Sequence, residues 1–227
     1  MKKRYFITGT DTDVGKTHIT EALLRAAQQR GLTTLGLKPL AAGAELIDGQ
    51  WSNDDARRLQ AVSSLKLPYE QVNPVLLRAA LAPHLAAEME QRRLTVQSLA
   101  GFCRGTLMTH RAQLTLIEGA GGWRVPLNDR ETLADLAIEL NLEVILVVGM
   151  TLGCLNHALL TAEAIRRDGL QLAGWVANCL DPQMSSLEAN IQTLAKRLPA
   201  PLLGTMPFQS ADEAPPPAWL GNRFFDD

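Results

Sequence analysis

An α/β fold, with a single doubly wound, mostly parallel sheet and helices on both faces, is predicted by three features of the sequence. Short apolar runs bounded by turn residues alternate with helical patterns along the whole chain. The most apolar run, Val144-Ile145-Leu146-Val147-Val148, has no polar face, as expected of a central strand covered on both sides. A glycine-containing stretch from Gly9 to Thr17 lies between the first apolar run (Tyr5-Phe6-Ile7) and the first helical pattern. That is the strand–loop–helix order of a phosphate-binding loop, so the fold expected is P-loop NTPase-like.

The loop reads Gly9-Thr10-Asp11-Thr12-Asp13-Val14-Gly15-Lys16-Thr17. Its glycines let successive N–H groups turn inward, and the following helix adds partial positive charge. Lys16 would reach the outer phosphates, and Thr17 would offer a hydroxyl to Mg²⁺. Five residues separate Gly9 from Gly15, one more than the usual spacing. Asp11 and Asp13 are unusual in a loop that binds an anion, and fit one that also faces a cationic second substrate or a metal.

The remaining elements follow in order. Ile19, Leu23, Leu24 and Ala27 mark a helix that closes at Gly31. Thr33 to Leu37 reads as a buried strand ended by Lys38-Pro39, which puts Lys38 at the carboxyl edge where open α/β sheets bind ligands. Leu40 to Asn53 has no periodicity and reads as a loop. Asn53 or Asp54 caps a helix from Asp55 to Val62, in which Asp55 either stabilises the helix dipole or holds a metal. Leu65 to Leu94 reads as loop, short strand and short helix. Thr95 caps a helix to Arg111 with Val96, Leu99, Phe102, Cys103 and Leu107 inward. Leu114 to Ile117 is a buried strand with Glu118-Gly119-Ala120-Gly121-Gly122 behind it, where a carboxylate could hold Mg²⁺ directly or through water. Glu131 to Asn141 is helical, Asn156 to Arg167 is the next helix, and Leu172 to Ala177 is a strand ending at Asn178. That amide suits either a purine base or a turn. Ser185 to Leu198 is the last helix. The tail, with Pro215-Pro216-Pro217, is expected to be extended, with Trp219 and two phenylalanines docking or meeting a partner.

The chain of 227 residues is 46% hydrophobic, enough for one large core, and residues 1–210 are expected to form a single domain with a tail from 211 to 227. Lys+Arg number 22 against Asp+Glu 24, a formal net charge of −2, and no basic run suggests nucleic acid. No apolar stretch is long enough for a membrane span, and the basic start is followed by too few apolar residues for a signal peptide. Cys103, Cys154 and Cys179 lack metal-ligand spacing, so a reduced, cytoplasmic protein is expected. No nucleophile elbow or Cys–His pattern suggests covalent catalysis.

Six ordered blocks together resemble dethiobiotin synthases: the loop from Gly9 to Thr17, Lys38-Pro39, Glu118 to Gly122, Gly153-Cys154-Leu155-Asn156-His157, Gly174 to Asn178, and Pro199 to Gly204. The resemblance implies an ATP- and Mg²⁺-dependent ring closure of 7,8-diaminononanoate with CO₂, giving dethiobiotin, ADP and phosphate. It passes through a carbamate and a carbamic–phosphoric anhydride. It implies catalytic roles for Lys16, Lys38 and Thr12, and metal ligation by Thr17, Asp55 and Glu118. The nucleotide would meet Asp13, Val14, Gly15, Lys16, Thr17, His18, Asp55, Glu118, Gly119, Ala120, Gly121, Asn178, Cys179, Pro207, Phe208, Gln209 and Glu213. The diamine would meet Thr12, Lys38 and Ala42, and its carboxylate the Gly153, Cys154, Leu155 and Asn156 backbone of a partner in a homodimer. The chain departs from the family pattern at Ala42, where a serine is familiar, at Thr151, where a basic residue is common, and at Asn190, where relatives place a tyrosine. Cobyrinate-type amidases would need an additional Cys–His domain, and partition-type switch ATPases carry a loop lysine where this chain has Thr10-Asp11-Thr12.

Overall fold

A computed structural model describes residues 2–47, 49–209 and 219–225. Six strands form one parallel sheet: β1 (Lys3–Gly9), β2 (Thr34–Leu37), β7 (Leu114–Glu118), β8 (Glu143–Met150), β9 (Leu172–Cys179) and β10 (Leu202–Met206), in the spatial order β10-β9-β8-β1-β7-β2. β8 is an inner strand, as its unbroken apolar run required. Alternate residues serve opposite faces. Val144, Leu146 and Val148 join one apolar cluster, and Ile145 and Val147 join the other. On the first face lie α5 (Val96–Thr109), α6 (Leu133–Glu139), α7 (Cys154–Arg167) and α8 (Leu187–Arg197); on the second lie α1 (Lys16–Gln29) and α2 (Asp54–Val62). The sheet is therefore doubly wound, as expected.

Element boundaries shift by one to three residues, and their causes are visible. Thr95 caps α5, its hydroxyl accepting from Ser98 N, but the helix stops at Thr109. Phe102 points outward, 48% exposed, because the buried stripe runs through Val96, Leu99, Cys103 and Leu107. Thr132 and Asp135 close a capping box that starts α6 at Leu133. Gly153, at φ 98, starts α7 at Cys154, two residues earlier than expected. β9 continues through Asn178 to Cys179, so Asn178 is a strand residue and not a turn residue.

The segment expected to be a loop, Leu40 to Asn53, holds three short strands. β3 (Leu40–Ala42) pairs with β6 (Val75–Leu77), and β4 (Glu45–Ile47) pairs with β5 (Gln50–Ser52) as a hairpin. Strands of three residues show no periodicity, and β3 exists because a partner 35 positions away, Leu40 with Val75, supplies its ladder. Between them and the helices lie α3 (Tyr69–Val72) and α4 (Pro83–Met89), within the stretch read as loop, strand and helix. β10 had no expectation attached to it. Past the described gap, Trp219 and Phe224 are buried against the second-face cluster and Leu220 bridges Gly204, so this part of the tail docks on its own chain. Glu213 and the proline run lie outside the described residues.

Candidate active site

The loop after β1 enters α1 through Gly15, at φ 84, where a Cβ would stand 2.2 Å from Asn178 Nδ2. Asp13 is also left-handed, at φ 57, which curls the backbone into a concavity of N–H groups. No side chain caps α1, so its first amides remain available to an anion. Lys16 Nζ rests on the Asp11 carbonyl at 2.9 Å. Burial, and then the nearby Lys38 charge, pull the Lys16 ammonium down from 10.5 to about 8.

Register brings the opposite wall into place. Leu37 pairs with Ile117 across β2 and β7, so the next residues, Lys38 and Glu118, fall side by side and share one face. Glu118 is fully buried, and its Oε1 accepts from Lys38 Nζ at 2.7 Å and from the Thr17 hydroxyl at 2.7 Å. Lys38 Nζ also reaches Asp55 Oδ2 at 3.0 Å and the Gly119 carbonyl at 3.1 Å. Burial opposes the charge on Lys38, but the Glu118 and Asp55 carboxylates outweigh it and hold its pKa above the ordinary value. Burial likewise opposes Asp55, and Lys38 holds that carboxyl below its usual range.

Glu118 Oε2 is buried with no protein partner. An unpaired buried carboxylate oxygen beside the Thr17 hydroxyl and the Asp55 carboxylate is a hard-oxygen donor set of the kind Mg²⁺ takes. Among the described residues no cluster of three His, Cys, Asp or Glu could hold a metal, so any ion here would rest on two carboxylates, a hydroxyl, water and ligand phosphates.

These groups line a cleft of about 900 Å³. Thr12, Asp13, Gly15, Lys16, Thr17, His18, Lys38, Ala42, Asp55, Ala120 and Gly121 all border it, and Glu118 and Gly119 touch Lys38 just beneath. Asn178 does not stand free at the rim: its Nδ2 donates to the Val14 carbonyl at 2.9 Å, fastening the loop from behind. Cys179 and Val14 are buried beside it, and burial, then Glu188, pushes the Cys179 thiol up. Phe208 is half exposed, and Gln209 approaches His18, whose pKa is lowered by burial and then by Arg58. Gly153, Cys154, Leu155 and Asn156 do not border the cleft of their own chain.

Several cleft residues carried no sequence signal of their own. Arg58 faces the cleft and pairs with Glu21. Arg124 stands at its mouth, donating to Asp168 Oδ1 at 2.6 Å, while Trp123 donates to the other oxygen at 2.7 Å. Ala80 to Pro83 and Val125-Pro126 complete the wall. The Asp48-Gly49 dipeptide was the one available cue for the hairpin beside it.

A sequence family described as an AAA domain matches residues 3–215. An ATP-dependent dethiobiotin synthetase BioD from Cellvibrio japonicus is 61% identical over 216 residues, covering 94% of each chain. One of the same name from Marinobacter nauticus is 50% identical, covering 96% of this chain and 94% of its own. The chain belongs to the ATP-dependent dethiobiotin synthetase family. Members are ATP-dependent ligases. Solved structures bear on the fold alone. The cell division protein FtsY from Thermotoga maritima has a TM-score of 0.56 at 13% identity over 95% of this chain and 65% of its own. The septum-site protein MinD from Pyrococcus horikoshii, complexed with Mg-ADP, has a TM-score of 0.54 at 18% identity, over 91% of this chain and 82% of its own.

Proposed function

We propose that this chain closes the ureido ring of dethiobiotin from 7,8-diaminononanoate, CO₂ and ATP, releasing ADP and phosphate. The observation that carries the reading is the convergence of Lys38, Glu118, Asp55 and Thr17 directly beyond the phosphate loop. An amine of the substrate takes up CO₂ and gives up a proton, forming a carbamate. A carbamate oxygen attacks the terminal phosphorus and ADP departs. The second amine then attacks the carbonyl carbon, phosphate leaves, and a further proton is lost. Both steps move negative charge between oxygens, so they ask the protein for placement and charge neutralisation. Lys16 and the α1 amides hold the phosphates, and Lys38, kept charged by Glu118 and Asp55, neutralises the carbamate and the transferred oxygens. Thr12 and Ala42 form the wall toward the diamine.

Thr17, Asp55 and Glu118 are the residues that would hold Mg²⁺, through the donor set around the unpartnered Glu118 oxygen. Bound there, the ion supplies further neutralisation of phosphate charge. The reading of a homodimer, with Gly153 to Asn156 facing the partner, is supported by two observations: these residues start α7 away from their own cleft, and Leu152 beside them is fully exposed. In the dimer their amides meet the substrate carboxylate bound by the other copy. The assignments of Asn178, Pro207, Phe208, Gln209 and Glu213 to the nucleotide, a domain of 1–210 with its tail, and a cytoplasmic setting complete the proposal. Among the described residues no helix is long and apolar enough to cross a membrane.

A coupled assay tests it. Phosphate and dethiobiotin should appear together only when ATP, the diamine and bicarbonate are all present. Phosphate release with ATP alone, or on adding DNA or lipid, would replace this reading with a switch ATPase.

A further inference from the structure

Behind the Lys38–Asp55 pair runs a closed ring of hydrogen bonds. Lys38 lies one residue beyond β2, where pairing with β7 has ended at Leu37 and Ile117, and the next residue, Pro39, has no N–H to extend a ladder. Its backbone is gripped instead from the end of α3. The Lys38 N–H donates to the Val72 carbonyl at 2.9 Å, and the Lys38 carbonyl accepts from Asn73 Nδ2 at 2.7 Å.

Asn73 is buried and its amide is fully used. Nδ2 also donates to the Val75 carbonyl at 3.3 Å, and Oδ1 accepts from the Tyr69 hydroxyl at 2.9 Å. The Tyr69 oxygen in turn accepts from the Asn53 N–H at 2.8 Å. Asn53 is the cap of α2, its Oδ1 accepting from Ala56 N at 3.2 Å, and the first turn of that helix carries Asp55. Asp55 receives Lys38 Nζ, and the circuit closes.

We propose that Tyr69 is a positioning residue for phosphoryl transfer: its hydroxyl, acting through Asn73 on one side and Asn53 on the other, sets the separation of the Lys38 ammonium from the Asp55 carboxylate. The two groups sit on different elements, the end of β2 and the start of α2, which share no backbone ladder. The hydroxyl is where the hydrogen bonds running from the start of α2 and from the Lys38 carbonyl meet. Misplacement of Lys38 by a fraction of an ångström would weaken its hold on charge that develops only during the reaction, while the phosphate loop, on another wall of the cleft, would be untouched.

This role rests on the proposed ring closure, and its test separates the two. In Tyr69→Phe the ring stays and only the hydroxyl goes. Expected are a folded protein, a nucleotide Kd within twofold of the parent, and kcat for dethiobiotin lowered about tenfold, the size of one lost hydrogen bond at 1.4 kcal/mol per factor of ten. Asn73→Asp keeps the acceptor for Tyr69 but removes both donors, and should show the same split. The double variant should lose little more than the worse single one, because both break one circuit. A folded Tyr69→Phe with kcat within twofold of the parent overturns the role. So does a parallel fall in kcat and nucleotide affinity, which marks general loosening, and so does failure of both variants to fold. A parent that makes no dethiobiotin overturns the functional reading and the role with it.

Discussion

The sheet has a cleft at each end of its strands, and the two are close in size. The one at the carboxyl ends encloses about 900 Å³ and the one at the amino ends about 800 Å³. Both are rich in cations: Lys16, Lys38, Arg58 and Arg124 in the first, Lys2, Lys3, Arg4 and Arg223 in the second. They differ in where the charge sits. Lys38 is 3% exposed and Lys16 7%, and the buried Glu118 carboxylate binds Lys38 and Thr17, whereas Arg4 and Arg223 stand in solvent. A charge removed from water interacts strongly with whatever enters beside it, while a solvated one is screened. The carboxyl-end cleft also has an uncapped 14-residue helix aimed into it. Volume and charge count do not distinguish the ends; burial and convergence do.

The largest expected effect is at Lys38. Lys38→Ala should cut dethiobiotin formation about 10²–10³-fold and, by leaving Glu118 buried and unpaired, destabilise the fold by about 3–5 kcal/mol in denaturant unfolding. The matched change at the other end, Arg4→Ala, should leave turnover unchanged and stability within about 0.5 kcal/mol. Equal losses at the two ends would erase the distinction.

Next is Lys16 and pH. Its folded pKa of about 8 lies below its ordinary 10.5, because burial and Lys38 disfavour the charge. Below pH 8 the folded and unfolded chains both carry the proton and the full cost of burying it is felt. Between pH 8 and 10.5 the folded chain sheds it first, so this group's contribution to stability becomes more favourable as pH rises. Nucleotide phosphates reverse the preference by holding the charged form. Binding should therefore take up protons near pH 8 and weaken above it, as calorimetry in buffers of different ionisation enthalpy would register. A flat affinity from pH 7 to 9.5 would contradict it.

Glu118→Gln removes the carboxylate while keeping the shape of the side chain. Half-saturation by Mg²⁺ should rise about tenfold, and an unchanged titration would separate Glu118 from the metal. The smallest effect is at the wall. Ala42→Ser adds a hydroxyl facing the cleft and should lower KM for the diamine by a few-fold at most, with nucleotide affinity unaltered.

Much of the site was legible because it is written in contiguous residues. Gly15-Lys16-Thr17 and the glycines behind Glu118 need only a strand before them to mean a phosphate loop and an acidic strand end. The runs that became β1, β7 and β8 were legible for the same reason: a strand covered on both faces must be apolar throughout. What could not be read were features made by partners distant in sequence. Three-residue β3 depends on β6, and β10 depends on β9. Phe102 fitted the helical stripe yet turned out exposed, because which arc of α5 is covered depends on α6 and the sheet beneath. Asn178 carried a signal for a base, but nothing local in the sequence showed that one of its amide hydrogens goes to the Val14 carbonyl, a partner 164 positions away.

The sequence by itself determined the α/β class, the phosphate loop, and the placing of Lys38 and Glu118 at the ends of strands, since local composition and chain reversals suffice for those; for Asp55 it left a helix-dipole role and a metal role open. Only the tertiary structure decided that Lys38 and Glu118 share a register and a face, that Glu118 keeps one buried oxygen without a protein partner, and that Tyr69 joins the two elements carrying Lys38 and Asp55. Those are distances between residues as many as 80 positions apart, and they come into being only when crossovers lay the strands side by side.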